Sequence, residues 1–337
     1  MKLSWEIMTA IVAFGVTAIS GFWLVPFLKR LKYGQTILDI GPKWHKAKQG
    51  TPTMGGLLFI LGITAAAIVG WFLALDAGDI SPSSANLAMN VKYFGGIFMA
   101  ICYGFIGFID DYIKVVRKRN LGLTAKQKLL LQASAAAAYL AVLYIAGDRT
   151  TRISIPFAGS VELGLAYYPF AMFVIIAVVN AVNLTDGLDG LSSSVTFVVA
   201  GTFVVICSML ALREINILAI ALAAGCIGFL VWNFYPAKVF MGDTGSLFLG
   251  GMVCALGFGS GLPVFLALIG IIYVAEAGSV VLQVLYFKAT GGKRLFKMSP
   301  IHHHFEMCGK TEVQIVFGFV MVSIVFGILA VLAATRL

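Results

Sequence analysis

The stretch Ile7–Leu28 reads IMTAIVAFGVTAISGFWLVPFL and contains no charged side chain. A helix of about 20 apolar residues crosses the hydrocarbon core of a bilayer. The run is too long for a cleaved signal peptide, and no small-residue cleavage site precedes the next polar stretch, so we interpret it as a retained membrane helix. Apolar runs of similar length recur to the end of the chain.

The composition agrees with a membrane protein. Of the 337 residues, 60% are hydrophobic and 12% are charged, whereas an ordinary soluble domain has about 25% charged residues. We therefore predict an all-α, polytopic integral membrane protein with a single domain over residues 1–337 and about ten transmembrane helices. The predicted spans are roughly 5–28, 54–75, 92–109, 127–146, 166–182, 191–211, 215–233, 246–259, 262–287 and 313–334.

The basic residues indicate the orientation. Most of the 24 Lys and Arg residues lie in alternate loops, at 29–53, 110–128 and 288–310. Cytoplasmic loops carry such an excess, so these loops are predicted to face the cytoplasm and both termini the outside. The net charge of +9 is thereby explained, and we predict no nucleic-acid partner. The five cysteines are scattered and have neither metal-binding nor redox spacing.

Two segments depart from the helical pattern. The outward segment Thr151–Leu163 alternates apolar residues loosely around Pro156, which predicts a short β-hairpin outside the membrane. The ninth span contains Glu276, which follows Pro263 and Gly270. Proline and glycine weaken a helix, so a bent or interrupted helix is predicted there.

Five aspartates lie at the predicted cytoplasmic ends of the spans: Asp110, Asp111, Asp186, Asp189 and Asp243. A carboxylate at the end of a membrane helix is costly and indicates a functional site. Adjacent carboxylates on a helix point about 100° apart, so Asp110 and Asp111 are expected to take two roles rather than to form one chelate. An acidic helix end without function is the weaker alternative, because acids at a C-terminus oppose the helix dipole.

Two polar stretches adjoin other spans. Asn180–Gly190 (NAVNLTDGLDG) combines amides and carboxylates with glycine, and Gly242–Ser246 (GDTGS) surrounds Asp243 with small and hydroxylic residues. Small neighbours allow a phosphate or a metal to approach the backbone, and a helix that begins at Ser246 would attract anions. An Asx-rich turn in the first stretch, and an N-cap by Asp243 or Thr244 in the second, remain alternatives.

Lys297–Glu306 (KMSPIHHHFE) places three adjacent histidines in a basic loop. They lack the i, i+4 spacing of a helical zinc site, and opposite five carboxylates they are better suited to contact phosphate; a metal-binding tract and an accident of sequence are the alternatives. Lys46–Gly56 begins the second span and is by itself an ordinary basic helix start. Oxygen ligands favour Mg²⁺ over zinc. Together these stretches predict phosphoryl transfer at the cytoplasmic interface.

Along nearly its whole length the chain resembles the polyprenyl-phosphate N-acetylhexosamine-1-phosphate transferases. The aspartate motifs are shared across that family. Gly50–Gly56 (GTPTMGG) and the unbroken His triplet of Pro300–Glu306 (PIHHHFE) are similar to its muramoyl-pentapeptide branch. The Gly-Trp that usually follows this loop is here Gly309-Lys310, a departure that concerns the far end of the substrate loop.

The resemblance implies a Mg²⁺-dependent reaction in the bacterial inner membrane, within peptidoglycan synthesis and cell-wall biogenesis. Undecaprenyl phosphate attacks UDP-N-acetylmuramoyl-pentapeptide, UMP is released, and lipid I remains in the bilayer. It also implies a homodimer with its active site on the cytoplasmic face. The implied catalytic residues, with Asp243 as the Mg²⁺ ligand, are Asp110, Asp111, Asn180, Asn183, Asp186 and Asp243. The implied uridine pocket consists of Lys48, Gly187, Leu188, Asp189, Asn233 and Phe240. The residues implied to contact the diphosphate or the sugar–peptide are Thr53, Lys126, Gln283, His302, His303 and His304.

Two other functions compete with this interpretation. The nearer one is a sister transferase that uses UDP-N-acetylglucosamine, which the His triplet disfavours. The other is a membrane transporter, but a carrier places its charged groups near the bilayer midplane, whereas here they collect at one face. Within the transferase interpretation, direct attack is favoured over a covalent aspartyl intermediate, because Asp110 and a bound lipid phosphate suffice for one displacement.

Overall fold

The computed structural model describes residues 4–31, 48–81, 87–116 and 121–337. These residues form a bundle of helices with one small two-stranded sheet, so the predicted all-α architecture is confirmed. The elements in chain order are α1 (Trp5–Arg30), α2 (Gly56–Asp76), α3 (Leu87–Val116), α4 (Ala125–Ile145), β1 (Arg152–Ile155), β2 (Gly159–Glu162), a 3₁₀ turn (Gly164–Ala166), α5 (Tyr167–Thr185), α6 (Leu191–Met209), α7 (Arg213–Asn233), α8 (Gly242–Gly259), α9 (Phe265–Ile269), α10 (Ile271–Ala289), α11 (Ile301–Met307) and α12 (Glu312–Ala334).

Part of the predicted basic face lies outside the described residues. Among the described ones, Lys29 and Arg30 lie in the last turn of α1, Lys114 in that of α3 and Lys288 in that of α10. A cation at a helix C-terminus interacts favourably with the helix dipole. The basic residues of the loops 29–53 and 110–128 that lie outside the described ranges are Lys32, Lys43, Lys46, Arg117, Lys118 and Arg119.

Nine helices within the described ranges are long and apolar enough to cross a membrane, namely α1 to α7, α10 and α12. The remaining predicted span, 246–259, corresponds to α8, which is 18 residues long. Every residue from Thr244 to Gly259 is buried, because α8 packs against α2, α3 and α5 in the interior of the bundle. The chain is therefore a multi-pass membrane protein with a central helix that its neighbours enclose.

Both predicted departures from the helical pattern are confirmed. Gly270, with φ −94° and ψ 33°, separates α9 from α10 and interrupts the ninth span. The hairpin forms between the antiparallel strands β1 and β2, in which Ile153 lies opposite Val161. The interruption sets the direction of α10, which carries the buried Glu276 towards the end of the bundle where α11 lies.

Helices α3 and α8 approach each other closely at Gly107. A Cβ on residue 107 would overlap the backbone carbonyl of Asp243. Small residues allow the backbones of membrane helices to touch, and van der Waals packing then stabilises their association. Gly107 therefore sets the distance between Asp243 and the adjacent Asp110 and Asp111 of α3.

We expect Gly107→Ala to lower the unfolding temperature in detergent, because overpacking a tight contact costs about 1–3 kcal/mol. Gly318→Ala is the matched control, since a Cβ on residue 318 of α12 meets nothing within 4 Å. If both variants unfolded at the temperature of the unsubstituted protein, the proposed role of Gly107 in packing would be wrong.

Candidate active site

Three carboxylates converge at one end of the bundle. Asp110 and Asp111 lie near the end of α3, and Asp243 lies in the first turn of α8. One oxygen atom from each lies within 4.8 Å of the others. Asp110 and Asp111 are each only 3% exposed, so the group is largely withdrawn from water. Such a cluster of oxygen atoms is suited to hold a cation.

The prediction that Asp243 lies in a loop and that the helix starts at Ser246 is wrong, because α8 begins at Gly242. A side chain from α3 caps the additional turn. Asp111 accepts hydrogen bonds from the Asp243 N–H at 3.2 Å, the Thr244 N–H at 2.9 Å and the Thr244 hydroxyl at 2.7 Å. A carboxylate stabilises the unpaired N–H groups of a helix N-terminus, and this capping partner is not visible in the local sequence.

Asp110 has different partners from Asp111. Its Oδ1 accepts a hydrogen bond from the Leu123 N–H at 2.8 Å, and its Oδ2 lies 2.6 Å from Lys114 Nζ. The two neighbouring carboxylates therefore make different contacts, although an oxygen atom of each also lies within 4.8 Å of an Asp243 carboxylate oxygen. Asp110 connects the end of α3 to the segment that precedes α4.

Asp243 is the common partner of side chains from three other helices. Its Oδ2 lies 3.0 Å from Lys114 Nζ and 2.9 Å from Lys128 Nζ. Its Oδ1 accepts a hydrogen bond from the Asn183 amide at 2.8 Å. Sequence reasoning did not select either lysine as a site residue. The i, i+4 spacing of Asp110 and Lys114 was an available signal, whereas Lys128 had none.

The end of α5 contributes Asn183 and Asp186 to this cluster. The Asn183 amide also donates to the Ser246 hydroxyl at 2.7 Å. Asp186 follows the last turn of α5. Removal from water raises the pKa of Asp186 well above its usual range, and the negative charges of Asp243 and Asp111 raise it further. A bound cation would relieve this repulsion.

Asn180, the third predicted residue of α5, has a different environment. Its amide donates a hydrogen bond to the Gln132 side chain of α4 at 2.7 Å and to the Ile176 carbonyl at 2.8 Å. Gln132 in turn donates to Asn180 at 3.3 Å. The structure thus gives Asn180 a contact that joins α4 to α5 rather than a contact with the carboxylates.

Lys48 joins two acids in a second polar group. Its Nζ lies 2.7 Å from Asp189 Oδ1 and 2.6 Å from Glu312 Oε2. Asp189 Oδ2 accepts a hydrogen bond from the Ala237 N–H at 2.9 Å. The structure therefore brings together two residues of the predicted uridine pocket. Glu312 is a member that sequence reasoning missed, because it lies 264 residues from Lys48 along the chain.

Asn233 and Phe240 connect the backbone segments around this second group. The Asn233 side chain accepts a hydrogen bond from the Gly190 N–H at 3.1 Å and donates one to the Val239 carbonyl at 2.9 Å. The backbone N–H of Phe240 donates to the Pro52 carbonyl at 2.8 Å. These hydrogen bonds connect the segments that contain Gly190, Val239 and Pro52.

Three other predicted residues differ in their placement. Thr53 borders the turn before α8, where its hydroxyl would lie 2.7 Å from a Cβ on Gly242. Leu188 is buried. Lys126 is exposed at the start of α4, whereas Lys128 two residues later reaches the carboxylate cluster. The structure places Thr53 near the cluster and leaves Lys126 at the surface.

The three histidines lie in the short helix α11, within a segment that was predicted as a loop. His302 Nδ1 is 2.9 Å from Glu276 Oε2, and His303 Nδ1 is 2.6 Å from Glu306 Oε2. The two rings thus pair with separate carboxyl groups. Their Nδ1 atoms do not converge on a common zinc site in the described geometry.

Gln283 and His304 accept hydrogen bonds from the basic loop that precedes α11. Gln283 Oε1 accepts hydrogen bonds from the N–H groups of Leu295 at 3.1 Å and Phe296 at 2.9 Å. His304 Nδ1 accepts one from the Lys297 N–H at 3.1 Å. These two predicted substrate-binding residues therefore also determine the shape of the loop.

Residues 93–261 match a family model described as "Glycosyl transferase family 4". The matched range contains Asp110, Asp111, Asn183, Asp186 and Asp243 and the helix segments that carry them. The helical fold and its carboxylate cluster therefore define a membrane transferase of this class.

Residues 48–60 match a second model, described as "Phospho-N-acetylmuramoyl-pentapeptide-transferase signature 1". Curated relatives with the name phospho-N-acetylmuramoyl-pentapeptide-transferase include that of Clostridioides difficile (strain 630), 43% identical over 96% of both chains. That of Heliobacterium modesticaldum is 44% identical over 99% of this chain and 98% of its own, and that of Bacillus subtilis (strain 168) is 43% identical over 96% of both. The chain belongs to the phospho-N-acetylmuramoyl-pentapeptide-transferase family, which confirms the resemblance found in the sequence.

Proposed function

We propose that the chain transfers phospho-N-acetylmuramoyl-pentapeptide from its UDP-linked donor to undecaprenyl phosphate, releasing UMP and forming lipid I. The observation that carries this proposal is the cluster in which Asp110, Asp111 and Asp243 meet Lys114 and Lys128. Phosphoryl transfer depends on positioning and charge neutralisation more than on covalent chemistry. Negatively charged carboxylates and positively charged lysines lie together in this member of the family, and the reaction requires both.

The donor set of the cluster fits Mg²⁺. Three carboxylates outnumber the two lysines that face them, so negative charge is left over, and oxygen donors suit a hard cation. We propose Asp243 as the firmest ligand, with Asp111 close to it. When bound, Mg²⁺ would neutralise charge on the diphosphate and make its phosphorus more electrophilic.

The acceptor is a phosphate monoester, and its second pKa is about 6. At neutral pH most of the acceptor phosphate is therefore already fully deprotonated. We assign Asp110 the role of positioning this phosphate rather than of removing a proton from it. Asp110 Oδ2 lies 2.6 Å from Lys114 Nζ, and we propose that Lys114 and Lys128 bind phosphate oxygens. In one displacement, an acceptor oxygen bonds to the sugar-linked phosphorus while the bridging oxygen leaves with its electron pair on UMP.

We propose that the second polar group binds the uridine of the donor. This assigns Lys48, Gly187, Leu188, Asp189, Asn233 and Phe240 to the nucleotide. The contacts of Lys48 with Asp189 and Glu312 support the assignment, because a polar pocket whose groups are already paired is held in shape before the ligand binds. The same proposal assigns Thr53, Lys126, Gln283, His302, His303 and His304 to the diphosphate or the sugar–peptide.

We further propose that the chain is a single domain of a bacterial inner-membrane homodimer whose site faces the cytoplasm. Lys29 and Arg30 lie in the last turn of α1, Lys114 in that of α3, which also carries Asp110, and Lys288 in that of α10. Basic residues accumulate on the cytoplasmic side of membrane proteins, where a soluble nucleotide donor is present.

The test is UMP release by the purified protein with UDP-N-acetylmuramoyl-pentapeptide, undecaprenyl phosphate and Mg²⁺. We expect release that disappears when the lipid is omitted or EDTA is added, and that returns when Mg²⁺ is restored in excess over EDTA. Release from UDP-N-acetylglucosamine instead would reassign the donor. If folded protein released no UMP from either donor but moved substrate across the bilayer of proteoliposomes, the protein would be a transporter rather than an enzyme.

A further inference from the structure

Glu276 of α10 is a carboxyl group with no exposed surface inside a membrane helix. An ionisable group at this depth is costly, so its presence indicates a specific use. Its Oε2 lies 2.9 Å from His302 Nδ1, and its Oε1 is buried without a hydrogen-bond partner among the residues that the structure describes. The proposed transfer reaction does not use Glu276 directly.

His302 is 1% exposed, and its ring has two distinct ends. An ionised carboxylate can only accept hydrogen bonds, so an ionised Glu276 places the proton on Nδ1, and the contact fixes the orientation of the ring. The opposite atom, Nε2, is buried and has no hydrogen-bond partner within the described ranges. This end of the ring lies against Gly187, where a Cβ would overlap the imidazole.

Gly187 belongs to the loop between α5 and α6 that also carries Asp186 and Asp189. Asp189 is bound to Lys48 in the second polar group. The backbone N–H of Asp186 donates to the Asn183 carbonyl at 3.2 Å, and the Asn183 side chain donates to Asp243. A change in the position of Gly187 would therefore displace groups on both sides of the loop. The ring of His302 occupies the space that a side chain at residue 187 would need.

We propose that Glu276 is a positioning residue, which holds the His302 ring against Gly187 and so keeps the Asp186–Asp189 loop in the geometry that binds the nucleotide donor. Glu276 touches no substrate in this arrangement and acts through His302. The inference rests on the proposed function, because it concerns the uridine part of the same site. It connects the interrupted ninth span, through α10, to the donor pocket.

The first experiment measures equilibrium binding of UDP-N-acetylmuramoyl-pentapeptide and, separately, the KM values for donor and lipid in UMP release. We expect Glu276→Ala to weaken donor binding and to raise the donor KM about tenfold, by analogy with the lower end of the effect of removing the carboxylate partner of a metal-bound histidine. The lipid KM should remain unchanged. Glu276→Gln keeps an acceptor oxygen and should recover most of the affinity.

The matched control is Ser279→Ala in the same helix. Ser279 is 3% exposed, and its hydroxyl donates only to the backbone carbonyl of Glu276 at 2.7 Å among the hydrogen bonds described. We expect this variant to bind donor and turn over as the unsubstituted protein does. Gly187→Ala disturbs the contact between residue 187 and the His302 ring from the side of the loop. It should therefore weaken binding of the donor and leave the lipid KM unchanged, even if Glu276→Ala does not fold.

A second experiment observes the ring itself. The chain has four histidines, so NMR of protein with ¹⁵N-labelled histidine, assigned with His302→Gln, can report which His302 nitrogen carries a proton. We expect a proton on Nδ1 in the unsubstituted protein and a loss of that preference in Glu276→Ala. An unprotonated Nδ1, or folded Glu276→Ala with unchanged donor binding, would overturn the proposal. Absence of UMP release from the unsubstituted protein would contradict the proposed function, whereas the NMR result would still test this inference.

Discussion

Asp243→Asn is expected to lower UMP release by about 10³-fold or more while the protein remains folded. The substitution preserves the shape of the side chain but removes the charge that faces Lys114 and Lys128. It also replaces the proposed principal Mg²⁺ ligand by a neutral amide. The measurement is the initial rate of UMP release at saturating Mg²⁺, with the unfolding temperature in detergent as evidence of folding.

Asp148→Asn is the matched control for this variant. Asp148 follows the opposite end of α4 from Lys128 and forms an ion pair with Lys92 at 3.0 Å. The Asp148→Asn variant loses the same charge far from the carboxylate cluster. Its rate of UMP release should therefore equal that of the unsubstituted protein. An Asp243→Asn rate within tenfold of the control would remove Asp243 from the mechanism.

Asp111→Asn is expected to lower UMP release by about 10²-fold and to lower the unfolding temperature as well. Asp111 accepts three hydrogen bonds from the first turn of α8, and a neutral amide has one acceptor oxygen for them. Loss of a helix cap costs about 1 kcal/mol. The first turn of α8 carries Asp243, so disorder there also displaces the centre of the site.

Two further variants separate the contributions to this effect. Thr244→Val removes only the hydroxyl bond to Asp111 and should cause a smaller loss of both activity and stability. Asp79→Asn changes a carboxylate that accepts a hydrogen bond from Trp5 Nε1 at 2.8 Å, away from the cluster, and should leave the rate of UMP release unchanged. An Asp111→Asn protein with normal rate and normal unfolding temperature would refute the capping role.

Most of the architecture could be predicted from the sequence, because a bilayer permits few solutions. Backbone groups in hydrocarbon must be paired internally, so each long apolar run has to form a helix. The interruption at Gly270 and the hairpin around Pro156 follow from the backbone preferences of single residues. The start of α8 could not be predicted, because Asp111, from a different helix, supplies its cap.

The same distinction applies to the site. Asp110, Asp111 and Asp243 are conspicuous as acids at the edges of apolar runs, and the structure brings them within 4.8 Å of one another. Lys128 and Glu312 have no local signal, because their partners come from other helices. Sequence reasoning noted Glu276 only for its place in a bent span, since nothing near it along the chain shows its contact with His302.

The enclosure of α8 has a consequence for how the protein is made. The helices that enclose most of α8, namely α2, α3 and α5, precede it along the chain, whereas the short helix α9, which also packs against it, follows. Every residue from Thr244 to Gly259 is buried, so protein rather than lipid surrounds most of α8 in the folded state. Synthesis from the N-terminus therefore supplies most of the protein surroundings of α8 before α8 itself is made. We infer that α8 reaches its buried position as the bundle assembles around it, so that its placement depends on helices made earlier.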